Sequence, residues 1–160
     1  MAVVEHIVAA PPSRVWAILA DGWTYSDWVV GTVHIRDVDP GWPAPGSRIH
    51  HKAGPWPLSI HDSTVAIAVE APHELHLRPR MWPLGEAEVH ITLTEIDPQH
   101  TRIRLAEDFR AGPLLWVRTK VNDLVMHRRN RESLRRLADL AVRQQTHQDD
   151  PSATARHSGT

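Results

Sequence analysis

The sequence predicts an α+β domain in which a curved antiparallel sheet of about seven strands wraps a long C-terminal helix, with two short helices after the first strand. Three observations predict it. From Pro113 to about Gln145 no Pro or Gly interrupts the chain, and apolar residues recur at three- and four-residue steps. Leu114, Val117, Val121, Leu124 and Val125 open that stripe, and Leu134, Leu137, Ala138 and Ala141 close it, the period of a helix with one buried face. Ahead of the helix, residues 32–109 read as short period-two strands separated by Pro, Gly and Asp turns, the pattern of an antiparallel meander. Finally, 160 residues make one domain with room for a real core. At about 1.5 Å per residue the helix is longer than a small domain is wide, so it must lie across the sheet, and the sheet must bend to grip it.

The elements follow in order. Val3 to Ala10 is a β-rich first strand. Pro11-Pro12-Ser13 opens a helix through Leu19, since Pro is tolerated in a first turn, and Gly22 stops it. A second short helix spans about Thr24–Trp28, with Thr24 or Ser26 as caps. Thr32–Val38 alternates and ends in the turn Asp39-Pro40-Gly41, and Ser47–Ala53 alternates again. In Ser59–Glu70 the residues Val65, Ile67 and Val69 share one face, here expected to be the inner one. Glu74–Met81 returns with Leu75 and Leu77 inward. Glu86–Ile96 gives the cleanest alternation, Ala87, Val89, Ile91 and Leu93 against Glu86, Glu88, His90, Thr92 and Thr94. Thr101–Phe109 carries Ile103 and Leu105 inward. After about Thr146 no apolar period survives, so residues 1–145 are expected to form the domain and 146–160 a disordered tail.

Composition excludes several function classes. Without Cys there are no disulfides, thiol nucleophiles or thiolate metal sites. Net charge is −1, so no overall field advertises a polyanionic partner. Residues 114–145 do hold eight Arg or Lys against three Asp or Glu. Those arginines lack interleaved aromatics apart from Trp116, and one helix face is needed for packing, so nucleic acid is not the expected partner. The start is too short and polar for a signal peptide, and no apolar run approaches a membrane span. A cytoplasmic protein without integral membrane association, monomeric or homodimeric, is expected. Twelve His raise the question of metal, but His73-Glu74-Leu75-His76 falls in a turn-to-strand segment and no facial triad stands out. No metal and no cofactor are expected. The aromatic inventory is unusual, with seven Trp but one Tyr and one Phe. Trp suits pocket walls and interfaces as well as ordinary core corners.

The start Val8-Ala9-Ala10-Pro11-Pro12-Ser13-Arg14-Val15-Trp16 resembles the strand-to-helix junction of the SRPBCC or START-like superfamily. Trp28 in the second short helix, the Gly46 turn before a strand and the terminal helix resemble it too. That superfamily includes polyketide cyclase/dehydrase proteins, the birch-pollen-allergen type and lipid-transfer domains, all of helix-grip fold. Gly46-Ser47-Arg48-Ile49-His50-His51, Trp82-Pro83-Leu84-Gly85-Glu86-Ala87 and Arg129-Asn130-Arg131-Glu132-Ser133-Leu134 look most like actinobacterial polyketide cyclase/dehydrase members of unassigned activity. The resemblance covers roughly residues 1–143. It implies a cavity between the concave sheet face and the long helix, used for apolar or amphipathic small molecules. The residues agree independently, because a helix laid across a bent sheet leaves a gap at its middle, and a binding pocket wants apolar walls with few polar groups.

Candidate site residues follow from parity and helical phase. Extending Val117, Val121 and Leu124 along the helix reaches Arg128 or His127, then Arg131. These are either a polar patch on the cavity floor that grips a ligand oxygen or a solvated face paired with the sheet rim. Parity puts Glu107 inward with Ile103 and Leu105, where a carboxylate must be paired or raise its pKa. It is a candidate general base for the enolisation that ring cyclisation requires, or one half of an ion pair with a helix arginine. His51 shares parity with Ile49 and Ala53, and His61 with Val65, Ile67 and Val69; each is a candidate acid, base or donor, or a satisfied rim residue. Trp56 and Trp82 sit in Pro-flanked loops suited to lids or to plain anchoring, and Trp28 plugs one end of the cavity.

The expected function is binding of a hydrophobic or amphipathic small molecule of lipid, polyketide or aromatic type in an internal cavity. Two alternatives stay open. One is a metal-free cyclase/dehydratase-type enzyme with Glu107 as base and Arg131 or His51 stabilising oxygen charge. The other is a protein-partner module using the Trp-bearing loops.

Overall fold

The chain runs β1 (Ala2–Val8), α1 (Pro12–Leu19), a 3-10 turn (Gly22–Thr24), α2 (Tyr25–Trp28), β2 (Thr32–Val38), β3 (Arg48–Ala53), β4 (Ile60–Glu70), β5 (Glu74–Met81), β6 (Gly85–Asp97), β7 (His100–Ala111) and α3 (Lys120–Gln148). This computed structural model describes residues 1–53, 60–81, 85–112 and 120–148. The strands make one seven-stranded sheet in the order β1-β7-β6-β5-β4-β3-β2, antiparallel throughout. β1 pairs with β7 and not with β2, so β1 and β2 are the sheet edges. α1 and α2 carry the chain from one edge to the other, and both pack against α3. No helix among the described residues is long and apolar enough to cross a membrane. α3 ends at Gln148, just past the expected domain limit, and residues 149–160 lie outside the described residues.

Period two explains the inner sheet face. Val4 and Val8 of β1, Leu75 and Leu77 of β5, Ala87, Val89, Ile91 and Leu93 of β6, and Ile103 and Leu105 of β7 are all buried. Glu88 bonds Arg110, and Arg102 and Arg104 pair with Glu5, on the outer face. Gly85 opens β6 with φ +125°, and a side chain there would collide with the Ala111 carbonyl oxygen, so the β5-to-β6 turn needs glycine.

On β4 the structure corrects the expected inner set. Thr64 and Ala66 are fully buried, whereas Val65 and Ile67 are only half-buried. The pairing with β5 slips by one residue between Ala66 and Ala68, a β-bulge, after which Val69 packs on the core. A single extra residue flips every later side chain to the other face. Alternation alone, read without the bulge, therefore chose the wrong parity for the first half of the strand.

α3 is corrected in the same way. Its buried face runs Met126, Asn130, Ser133, Leu134, Leu137, Ala138 and Ala141. Leu124 and Val125 are 51% and 61% exposed. At ~100° per residue, Leu124 stands about 200° round the helix from Met126, so the two apolar groups of the sequence do not form one stripe. Residues 113–119, where the helix is expected to begin, lie outside the described residues. α3 packs on the sheet mainly at β1 and to a lesser extent at β7.

Two substitutions test this phase. Leu137→Ala should cost about 2–5 kcal/mol of stability, since Leu137 is fully buried. Leu124→Ala should stay within about 0.5 kcal/mol. Urea unfolding of both variants reads the difference, and equal losses would mean the helix is rotated from this register.

Candidate functional site

Two polar clusters face a hollow between the sheet and α3. The first begins on α2, where Tyr25 and Trp28 stand one helical turn apart on the buried side, their rings edge to face at 5.4 Å. β3 turns His51 inward in step with Ile49, and β4 turns Thr64 inward opposite Ile49. The Thr64 hydroxyl lies 3.2 Å from the Tyr25 hydroxyl and 3.0 Å from His51 Nε2, while the Tyr25 and His51 rings stack at 5.8 Å. One hydroxyl has one proton and two lone pairs, so Thr64 can serve both neighbours at once. His51 Nδ1 is buried with no hydrogen-bond partner among the described residues. Burial pushes the Tyr25 hydroxyl up to about 12. Burial also lowers the His51 pKa, against a smaller opposing pull from Asp62. Near neutral pH the cluster therefore carries neutral donors and acceptors.

The second cluster joins β7 to α3. Glu107 is 1% exposed, as its parity requires. Arg129 Nη2 donates to both its carboxylate oxygens, at 2.6 and 2.5 Å, and Asn130 Nδ2 donates to Oε2 at 2.7 Å. Asn130 Oδ1 in turn accepts from Arg129 Nε at 3.3 Å. A buried carboxylate without such partners would be strongly unfavourable. One turn along, Ser133 Oγ accepts the Val30 N–H at 3.1 Å and ties the α2-to-β2 link to the helix.

The hollow between these clusters has a volume of about 240 Å³. Trp28, Leu77, Val89 and Leu105 supply apolar wall, and both polar clusters reach it, through His51 and Tyr25 on one side and Glu107, Arg129 and Asn130 on the other. Gly31 and Arg80 also border it and are solvent-exposed, which marks the mouth.

Of the expected site residues, the structure brings Trp28, His51 and Glu107 together on this lining. His61 is exposed, because it pairs with Lys52 on the outer parity of β4, out of step with Thr64. Leu124, Arg128 and Arg131 are exposed as well, a consequence of the helical phase already described. Arg131 is therefore not positioned to stabilise charge in the hollow. Trp56 and Trp82, and the side chain of Val121, lie outside the described residues. Sequence reasoning missed Tyr25, Thr64, Arg129, Asn130 and Ser133. Stepping back from Leu137 and Leu134 by fours and threes reaches Asn130 and Met126, which was the available signal for the helix. Thr64 was hidden by the bulge.

A model of the polyketide cyclase / dehydrase and lipid transport family matches residues 2–142. No curated protein matches the chain. A solved structure of a protein from Nitrosomonas europaea superposes with a TM-score of 0.68 at 18% identity, over 90% of this chain and 95% of that one. The Zhui aromatase/cyclase from Streptomyces sp. R1128 gives 0.68 at 20% identity, over 88% of this chain and 93% of its own. Ara h 8.0201 gives 0.64 at 11% identity, over 88% and 95%. At such identities the likeness is one of fold, the birch-pollen-allergen type of helix grip.

Two titrations check the first cluster. With His51 depressed in the fold below its ordinary 6.5, the unfolded chain takes up the proton first. Stability should be complete above about pH 6.5 and fall as pH drops below it. His76, also depressed by burial, adds a slope of the same sign. Urea midpoints taken from about pH 7.5 to 5 should decline, and His51→Gln should flatten the decline. Tyr25 is the chain's single tyrosine, so tyrosinate absorbance reports it alone. In the folded protein that absorbance should rise near pH 12 and not near 10.

Proposed function

The chain belongs to the polyketide cyclase / dehydrase and lipid transport family, and from that premise we propose that it binds a ring-bearing hydrophobic or amphipathic small molecule in the hollow between sheet and α3. The observation that carries this reading is the lining, apolar at its centre with one polar cluster on each side. An apolar ring packed among Trp28, Leu77, Val89 and Leu105 gains roughly 25 cal/mol for each Å² removed from water. Oxygen substituents at its ends meet Arg129 and Asn130 on one side and the neutral His51 and Tyr25 on the other. A hollow of about 240 Å³ has room for a compact ring-bearing ligand.

The state of Glu107 favours binding over turnover. Both its oxygens are engaged by Arg129, and one by Asn130 as well, so acting as a base would first require breaking that pair. A second reading, a metal-free cyclase/dehydratase-type enzyme, is favoured by His51. Its imidazole is held neutral by burial, and one ring nitrogen has no partner among the described residues, the combination a general base needs. The aromatase/cyclase activity of a protein of the same fold agrees with it. The partner-module reading rests on Trp56 and Trp82, and nothing in the hollow speaks for it.

Calorimetric titration with 1-naphthol as probe tests the binding reading. Val89→Phe and Leu105→Phe, which fill the hollow, should each weaken the probe at least tenfold, while Leu124→Ala leaves it unchanged. Unaltered affinity in both filled variants would place the probe elsewhere and sink the proposal. Should the wild type turn over a linear β-polyketone, His51→Gln should lose about 10²-fold in rate, and Glu107→Gln much less.

A further inference from the structure

The outer face of the sheet, away from the hollow, carries a second group of chemistry-bearing side chains. His76 of β5 and His90 of β6 are directly paired across the two strands, and their rings stack at 3.7 Å. Glu88, two residues before His90, shares their face. One donor atom from each of the three can be chosen so that all lie within 4.8 Å of one another. His76 Nε2 is buried, and Glu88 Oε2 stands 3.8 Å from it, beyond hydrogen-bond reach. It has no hydrogen-bond partner among the described residues.

Two stacked imidazoles with one ring nitrogen buried and without a hydrogen-bond partner among the described residues are an unusual arrangement for a merely solvated sheet face, where polar atoms ordinarily turn to water. The row across the strands is Ala68, His76, His90, Ala106, so the His pair is flanked by the smallest apolar side chains on both sides. A groove of about 170 Å³ opens there, bordered also by Glu70, Glu74 and Thr92.

We propose that His76, His90 and Glu88 form a binding site for a divalent first-row transition metal such as zinc, on the sheet face opposite the ligand hollow. Two imidazoles and a carboxylate suit zinc, cobalt, nickel or copper rather than calcium or magnesium, which want oxygen ligands alone. Donors about 2.0–2.2 Å from a zinc ion stand roughly 3.0–3.5 Å apart. The three side chains therefore close in by an ångström or so, and exposed His90 turns out of the stack so that its in-plane lone pair converges with that of His76.

Two cations already contend for the carboxylate. Arg110 Nε donates to Glu88 Oε2 at 2.8 Å, and Arg78 Nη2 donates to Oε1 at 3.4 Å. Arg110 is 59% exposed and has water to return to, so a bound metal takes Oε2 while Arg78 keeps Oε1. Glu70 and Glu74 on the groove rim offset the positive charge that remains. Occupied, the site clamps β5 to β6 from outside, adding a cross-strand tie beneath the wall formed by Leu77 and Val89.

This makes an unusual expectation, because removing one named residue should strengthen binding. Zinc chloride is titrated calorimetrically into the full chain, with thermal unfolding in EDTA confirming that each variant is folded. The wild type should bind one zinc ion saturably, and its unfolding midpoint should rise with zinc. His90→Ala, and the His76→Ala/His90→Ala pair, should weaken that site tenfold or more and abolish the rise. Arg110→Ala should tighten it severalfold. With twelve His in the chain, zinc affinity unchanged in the double variant would locate binding elsewhere and overturn the proposal. So would weaker zinc binding in Arg110→Ala, or no saturable binding by the wild type. None of these residues lines the hollow, so 1-naphthol affinity should be the same in every variant, which keeps this test separate from that of the proposed ligand.

Discussion

The ion pair between Glu107 and Arg129, with Asn130 as third member, is the constraint on which the interior depends. Among the described residues the apolar packing of α3 is concentrated in its C-terminal part, where Leu134, Leu137, Ala138 and Ala141 are buried. Nearer its start the buried positions are Met126, Asn130 and Ser133, two of them polar. Here the helix stands off the sheet, and Glu107 reaches across from β7. A carboxylate removed from water requires its partners at hydrogen-bond distance, so the triad sets how far apart helix and sheet stand. Ser133, held by the Val30 N–H, fixes the adjoining rim.

That separation leaves space that no side chain among the described residues fills. The inward residues of β5 and β6 there are Leu77 and Val89, too short to span to the helix, while Trp28 and Tyr25 close one end from α2. The polar groups that remain are of two kinds. One wall has a carboxylate, Glu107, whose two oxygens are already engaged by Arg129 and Asn130, and the other a Tyr25–Thr64–His51 chain kept neutral by burial. The first can orient a ligand oxygen through Arg129 and Asn130 at little reorganisation. The second can exchange a proton, or simply accept and donate hydrogen bonds, without bringing a charge into an apolar space.

Legibility in the sequence divided along physical lines. Glu107 and His51 were legible because β3 and β7 are regular over their inward halves, and parity holds wherever the pairing does not slip. His61, Val65 and Ile67 were misread, and Val69 alone of that set faces in, because β4 carries a bulge, which no local pattern announces. Arg128 and Arg131 were misread because the apolar group Leu124 and Val125 suggested a phase that packing overrode. Both are exposed in the fold, while Met126 and Asn130 take the buried side. An exposed apolar pair on a helix is ordinary, since much of any protein surface is apolar. The stronger signal lay in Leu134 and Leu137, whose spacing fits the observed face.

The sequence by itself determined the class of fold, the order of its elements, the grip of a long helix by a bent sheet and the inward carboxylate, because these follow from local period and from the cost of exposing an apolar face. Only the tertiary structure decided which helix residues meet Glu107, which half of β4 faces in, and that His76 and His90 stack across two strands. Those facts depend on register and rotation, which are set by contacts between elements distant in the chain. A local pattern states that a face exists; the packing of its neighbours selects which residues are on it.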